Sequence, residues 1–229
     1  MEKVLIIGGG SGIGKACARR FSKDYEVIIA GIDIRQLENA AKELNCSYIE
    51  LDVRSNESVA QLEKLNNIKV LINSAGINTP NRNLENMNDK DTSDIIETNL
   101  TGAIKVSRAI LKQMRKTGGT IIHIGSSAGV KTSILSGVAY CAAKKGLFSL
   151  VRSINLEEAK NGVRASIISP ATVNTELLLK RPVVPSEEER KKKLQPETIA
   201  DIAFFIVSQP DNTIIENVNL TSPGEVDFL

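Results

Sequence analysis

Lys3-Val-Leu-Ile-Ile-Gly-Gly-Gly-Ser-Gly-Ile-Gly14 is the run from which the fold is read. Lys3–Ile7 is short, apolar and rich in β-branched residues, which predicts a buried strand. The glycines then predict a tight turn, and Ala16, Cys17, Arg20 and Phe21 mark a following helix. A strand, a glycine loop and a helix N-terminus together make an anion site. Small residues let the backbone approach a pyrophosphate, and its charge meets the positive end of the helix dipole. Gly8, Gly12 and Gly14, with Ser11 and Ile13 between them, give the spacing G-x-x-x-G-x-G. That differs from the commoner dinucleotide fingerprint G-x-G-x-x-G, but the strand–helix setting still predicts nucleotide binding.

Downstream, strands and helices alternate. Glu26–Ala30, Ser47–Leu51, Val70–Gly76, Gly119–Gly129, Val163–Ile168 and Ile214–Leu220 read as strands, some with their exit loops. Between them, Asp33–Leu44, Ser55–Leu65, Asp94–Lys116, Ala139–Leu156 and Pro196–Val207 read as helices, and residues 77–93 as a polar loop. This order predicts an α/β fold: a Rossmann-like, doubly wound parallel sheet with helices on both faces. The 229 residues, 41% hydrophobic and 24% charged, suit a single domain, residues 1–229. A net charge of +2 and an aromatic content of 3% give no reason to expect nucleic acid or a membrane surface as partner. The N-terminus reads as a first strand rather than a signal peptide, so the expected location is cytoplasmic. Cys17, Cys46 and Cys141 lack metal-ligand spacing and read as reduced thiols, so no metal is expected.

Tyr140-Cys-Ala-Ala-Lys144 lies within a helical run, so Tyr140 and Lys144 stand at i and i+4 on one face. An ammonium near a phenol favours the phenolate, which would bring a group of pKa near 10 closer to neutrality. A YxxxK pair alone is more often a solvated helix face; here a nucleotide loop and upstream hydroxyls accompany it. Asp33 fits an N-cap box with Gln36, and it also stands where a carboxylate can bind a ribose and repel a 2′-phosphate. His123, the only histidine, reads as structural. Glu187/Lys191, Glu188/Lys192 and Glu189/Lys193 read as i,i+4 pairs on a solvated helix.

In these motifs the chain resembles the short-chain dehydrogenase/reductase family over nearly its whole length. The glycine loop is similar to that family's T-G-x-x-x-G-I-G with Ile7 for threonine. Val70-Leu-Ile-Asn-Ser-Ala-Gly76 is similar to its N-N-A-G, and Ile95–Ala103 to its N-L-x-G helix. Gly119–Gly129 resembles I-x-N-I-S-S-x-A-G with Gly125 for one serine, and Ser169–Thr175 resembles P-G-x-V-x-T with Ala171 for glycine. The resemblance implies hydride transfer between a nicotinamide cofactor and a secondary alcohol or carbonyl. It gives Tyr140 the role of general acid/base, with Ser126, Lys144 and Asn99 as catalytic partners. The strand register favours Ser126 as the serine; spacing from Tyr140 favours Ser127. Cofactor contacts fall on Gly8, Ser11, Gly12, Ile13, Gly14, Asp33, Asp52, Val53, Asn73, Ala75, Gly76, Tyr140, Lys144, Pro170, Val173 and Thr175. The family's usual markers for NAD or NADP are absent at Gly31 and Ile32; Asp33 inclines the reading to NAD, while Arg35 offers a phosphate ligand. Residues 176–195 take the place of a substrate lid, with Leu177–Leu179, Val183 and Val184 as an apolar lip. A homodimer or homotetramer is implied. The alternative is a catalytically weak cofactor-binding regulatory or scaffold protein on the same fold.

Overall fold

The computed structural model describes residues 1–181 and 184–228. Among them, seven parallel strands form one sheet in the order β3-β2-β1-β4-β5-β6-β7. The strands are β1 (Lys3–Ile7), β2 (Glu26–Gly31), β3 (Ser47–Glu50), β4 (Ile68–Asn73), β5 (Gly119–Ile124), β6 (Val163–Pro170) and β7 (Asn217–Leu220). Because β1 lies between β2 and β4, the strand order reverses there. This is where open α/β sheets leave a crevice beyond the strand C-termini.

The two-residue period of the strands divides the core. In β1, Leu5 and Ile7 face a cluster with Val106, Ile110, Leu147 and Val151 from α5 (Gly102–Thr117) and α7 (Val138–Glu158). Val4 and Ile6 face the other layer, with Cys17 and Phe21 of α1 (Gly12–Phe21), Leu37 of α2 (Ile34–Leu44), and Ile199 and Ala203 of α9 (Pro196–Val207). Among the described residues, no helix is long and apolar enough to cross a membrane.

Four expectations are corrected. The helix expected at Asp94–Lys116 begins earlier, as α4 (Asp89–Ile96), passes through a π turn (Glu97–Thr101) and continues as α5. Its start is set by Asn88, whose side chain accepts from Asp91 N at 2.7 Å; this cap was hidden in the Asn-rich loop. The segment expected at Ser55–Leu65 is α3 (Asn56–Ala60) followed by a 3₁₀ turn (Gln61–Lys64), and β7 is shorter than its expected run. Of the three charge pairs, only Glu187–Lys191 forms, at 2.9 Å, in α8 (Glu187–Lys191). Glu189 instead closes a capping box with Ser186, and Lys193 pairs with Glu225 at 3.1 Å, because α8 ends before the ladder can continue.

Candidate active site

The glycine loop is built without room for side chains. Gly8 N and Gly9 N both donate to the carbonyl oxygen of Ala30, at 2.7 and 3.2 Å, which folds the loop back over the end of β2. Gly8 has φ +76°, and a Cβ on Gly14 would lie 2.0 Å from the Gly8 oxygen. Helix α1 therefore begins directly against the end of β1, with its first N–H groups turned to the crevice. Across that crevice stands Thr175, whose methyl group would lie 3.2 Å from a Cβ on Gly12. Ile13, Pro170, Val173 and Thr175 line the cleft. The cradle fits the pyrophosphate of a dinucleotide, since the backbone is bare where that group would lie.

At the other end of the same cleft are Ser126, Tyr140 and Lys144. Ser126 is the N-cap of α6 (Ser127–Val130); its Oγ accepts from Ala128 N at 3.2 Å, and it stands near enough to the Tyr140 hydroxyl to favour the phenolate. Ser127 lies one residue inside that helix and is not among the lining residues. Gly125 stands where a side chain would meet the Ser169 Oγ at 2.7 Å, which explains the missing serine. Lys144 is 4% exposed; its Nζ donates to the Ile124 carbonyl oxygen at 2.8 Å and lies 5.6 Å from the Tyr140 ring centroid. Burial brings Lys144 down to about 8. Burial pushes the Tyr140 phenol up, while the nearby Ser126 hydroxyl and the Arg181 and Arg82 charges pull it part of the way back. The expected lowering of the phenol is thus outweighed by desolvation, and the charges that oppose the rise come from Arg181 and Arg82, which the sequence reading did not foresee.

Asn99 sits in the π turn and is 1% exposed. Its Oδ1 accepts from Ile77 N at 2.8 Å and its Nδ2 donates to Ile77 O at 2.9 Å. The extra residue of the π turn aims this amide inward, where it fixes the exit of β4. Gly76 fills the gap: a Cβ there would lie 3.1 Å from Asn99 Oδ1 and 3.5 Å from Lys144 Nζ.

Residues 2–182 match the family model for the short chain dehydrogenases. The chain belongs to that family. Carbonyl reductase family member 4 of Xenopus tropicalis is 30% identical over 92% of this short-chain dehydrogenase and 93% of its own length. The NADP-dependent 3-hydroxy acid dehydrogenase of Schizosaccharomyces pombe is 29% identical, over 93% of this chain and 90% of its own. Among solved structures, an alcohol dehydrogenase of the archaeon Thermococcus sibiricus, complexed with 5-hydroxy-NADP, is 28% identical with a TM-score of 0.85. The match covers 97% of each chain. A serine dehydrogenase in its closed form with NADP+ is 26% identical with a TM-score of 0.88, covering 97% of this chain and 96% of that one.

Other expected contacts of this short-chain dehydrogenase are spread more widely. Asp33 caps α2, its Oδ1 accepting from Gln36 N at 3.0 Å. Asp52 lines a second, shallower cleft with Ile32, Tyr48 and Arg54, beyond the ends of β2 and β3. The Arg54 guanidinium, 2.9 Å away, holds the Asp52 carboxyl below the usual carboxylate range. Val53, expected beside the cofactor, points its side chain into the core against Gly102, where a Cβ would come within 2.6 Å. Asn73 is turned inside as well: its Oδ1 accepts from Ala75 N and its Nδ2 meets His123 Nδ1 at 3.3 Å. Ala75 packs against the core, whereas Ser74 and Gly76 line the cleft. Leu177 and Leu178 line it too; Leu179 and Val184 are each 47% exposed, and Val183 lies outside the described residues. Sequence reasoning passed over Arg82, Arg181, Asn78 and Ser136, all in the cleft wall. Only the tertiary fold brings them there.

Proposed function

We propose that this protein is a nicotinamide-dependent oxidoreductase interconverting a secondary alcohol and a carbonyl, with Tyr140 as general acid/base. The observation that carries the reading is a single cleft that reaches the glycine loop at Ile13 and holds Ser126, Tyr140 and Lys144 together in its wall. When bound, the nicotinamide supplies or accepts the hydride. Tyr140 gives its hydroxyl proton to the oxygen of a carbonyl, or takes the proton of an alcohol. Ser126 Oγ lies within reach of the same oxygen and hydrogen-bonds it as charge develops there. Lys144 keeps a cation behind the phenol, which favours the phenolate during transfer, and its ammonium faces the cleft where a ribose would lie. Asn99 holds the β4 exit, which passes beside that ammonium at Gly76.

For the cofactor, the reading inclines to NAD. One Asp33 oxygen is used by the helix cap, which leaves the second to accept from a ribose hydroxyl and to repel a 2′-phosphate.

The direct test follows NADH and NADPH oxidation with a panel of ketones and aldehydes. Wild type should turn over at least one of them, and Tyr140→Phe should lose about 10²–10⁴-fold in kcat with an unchanged melting curve. A variant that keeps more than about a tenth of kcat removes Tyr140 from the proton transfer.

A further inference from the structure

Two turns beside the cleft carry large aliphatic side chains at their tips. The first is closed by Asn86 N and Met87 N, each donating to the Asn83 carbonyl oxygen at 3.0 Å, and Leu84 stands in it, 76% exposed. The second is closed by Ser136 N donating to the Ser133 carbonyl oxygen at 3.1 Å. Its central residues are Ile134 and Leu135, 87% and 66% exposed. Turn tips ordinarily take Gly, Asn, Asp, Ser or Pro, whose backbone freedom or local hydrogen bonds suit them. Aliphatics there add nothing to the core: among the described residues, none of the three belongs to its hydrophobic clusters.

The two loops that bear these turns are stitched to each other at the cleft wall. Asn78 Nδ2 donates to the Ser136 carbonyl oxygen at 3.0 Å, and Arg82 Nη1 to that of Leu135 at 2.9 Å. Gly137, with φ +82°, lets the backbones meet: a Cβ there would lie 2.7 Å from both the Arg82 Cβ and its carbonyl oxygen. Asn78, Arg82 and Ser136 line the cleft that holds Tyr140. Leu84, Ile134 and Leu135 therefore stand one or two residues from its wall. The polar groups of this wall serve the loops themselves. Asn78 Oδ1 accepts from Thr79 N at 2.9 Å, and Arg82 Nε donates to the Thr79 carbonyl oxygen at 2.6 Å. From the lid segment, Leu177 and Leu178 add apolar lining, with Leu179 half-exposed beside them.

Exposed aliphatics gathered at one place mark a contact surface. A second copy of the chain seated on these turns would cover the mouth through which a substrate enters, so the occupant that fits is the substrate. The cleft interior offers about 140 Å³, close to the size of a cavity that takes one benzene. It holds the reacting end of a substrate and little more, and a longer molecule has to pass the turns. We infer that Leu84, Ile134 and Leu135 form an apolar rim for the outer part of the substrate, which is a ketone or secondary alcohol bearing a long alkyl chain. The inference rests on the alcohol–carbonyl reaction proposed above. In the reductive direction the carbonyl carbon accepts a hydride from the reduced nicotinamide, its oxygen accepts the Tyr140 proton, and the alkyl chain is unchanged.

The test measures kcat/KM for methyl ketones with ethyl, butyl, hexyl and octyl chains, using the purified full-length enzyme and saturating reduced cofactor. A methylene that leaves water entirely gains about fourfold in binding, and one that lies on an open rim roughly twofold. The octyl ketone should therefore exceed the ethyl ketone by roughly 50-fold, mainly through KM. Leu84→Ser combined with Ile134→Ser changes two exposed turn tips. It should cut that ratio about tenfold and leave the melting curve in place. A flat series in wild type would overturn the inference. So would a ratio that the double variant leaves intact, or a fall traced to the cofactor KM. Sedimentation of both proteins reads the competing occupant: a smaller assembly in the variant, with the ratio unchanged, would give the rim to a second copy. Calorimetric titration of the same ketones, with oxidised cofactor present, separates the rim from the reaction. Affinity that grows with chain length in wild type but not in the variant, without turnover of any ketone, keeps the rim and rejects the proposed reaction. Absence of both binding and turnover rejects both.

Discussion

Lys144 is the residue at which chemistry and stability oppose each other. Its ammonium is 4% exposed with one protein acceptor, and its pKa falls from 10.5 to about 8. Below pH 8 the lysine is charged in both states, so the folded protein carries the full cost of burying it. Between about 8 and 10.5 the unfolded chain holds more protons, and stability rises with pH. At neutral pH the linked cost is on the order of 3 kcal/mol. Lys144→Met should therefore abolish turnover yet raise stability by about 1–3 kcal/mol, seen as a higher Tm. An unchanged or lower Tm would mean that the Ile124 carbonyl bond outweighs desolvation. The serine pair gives a second test at this scale. Ser126→Ala should lose roughly 10²–10³-fold in kcat, because its hydroxyl stands near that of Tyr140, whereas Ser127→Ala should lose less than about tenfold. The opposite order would give the role to Ser127. Tyr140 and Lys144 were legible in the sequence because one helix sets their spacing. Arg82 and Arg181 were not, because residues 99 apart in the chain reach one cleft wall only through the tertiary fold.

Helix α2 carries one side chain, Asp33, for which a structural and a cofactor role are separable by experiment. Its Asp33 cap donates nothing to the core, but it orders the turn between β2 and the helix at the rim of the second cleft. Asn is as good a cap as Asp and has no charge, so two substitutions separate the roles. Asp33→Asn should keep the melting temperature and narrow the ratio of kcat/KM for NADH over NADPH by several-fold, since the repulsion toward a 2′-phosphate is gone. Asp33→Ala should narrow it equally and also lose about 1 kcal/mol of stability. A ratio that neither variant moves would confine Asp33 to capping, and a wild type preferring NADPH would point to Arg35. The existence of the elements was legible here because apolar periods differ between strand and helix. Their ends were less so. Asn88 starts α4 from within a run of asparagines, any of which has the side chain of a cap, and no local pattern announces the π turn that turns Asn99 inward.

Across the whole molecule, the sheet that positions the cleft is tied to α5 through one buried imidazole. His123 in β5 is fully buried; its Nε2 lies 3.1 Å from Ser107 Oγ and its Nδ1 3.3 Å from Asn73 Nδ2. Ser107 already donates its proton to the Ala103 carbonyl oxygen at 2.8 Å, and Asn73 Nδ2 can only donate. The ring is therefore neutral, with the proton on Nε2. Burial and the nearby Lys144 charge bring its pKa from 6.5 down to about 3. Above pH 6.5 neither state binds this proton, and the full stability is present. Below it the unfolded chain takes up a proton that the folded protein refuses, so stability falls by about 1.4 kcal/mol per pH unit toward pH 3. Because His123 is the chain's one histidine, few other side chains titrate between about pH 6.5 and 5.5, and the slope there isolates it. Below 4.5 the Glu158 carboxylate, held at about 2 by Arg115 and Asn161, adds to the loss in the same direction. Urea unfolding from pH 7.5 to 5.5 should show this decline in wild type. His123→Gln, which carries no titrating group, should start less stable and stay level across the same range. A wild type whose unfolding free energy is flat between 6.5 and 5.5 would mean that the imidazole accepts its proton in place, and the neutral bridge between Asn73 and Ser107 would have to be abandoned.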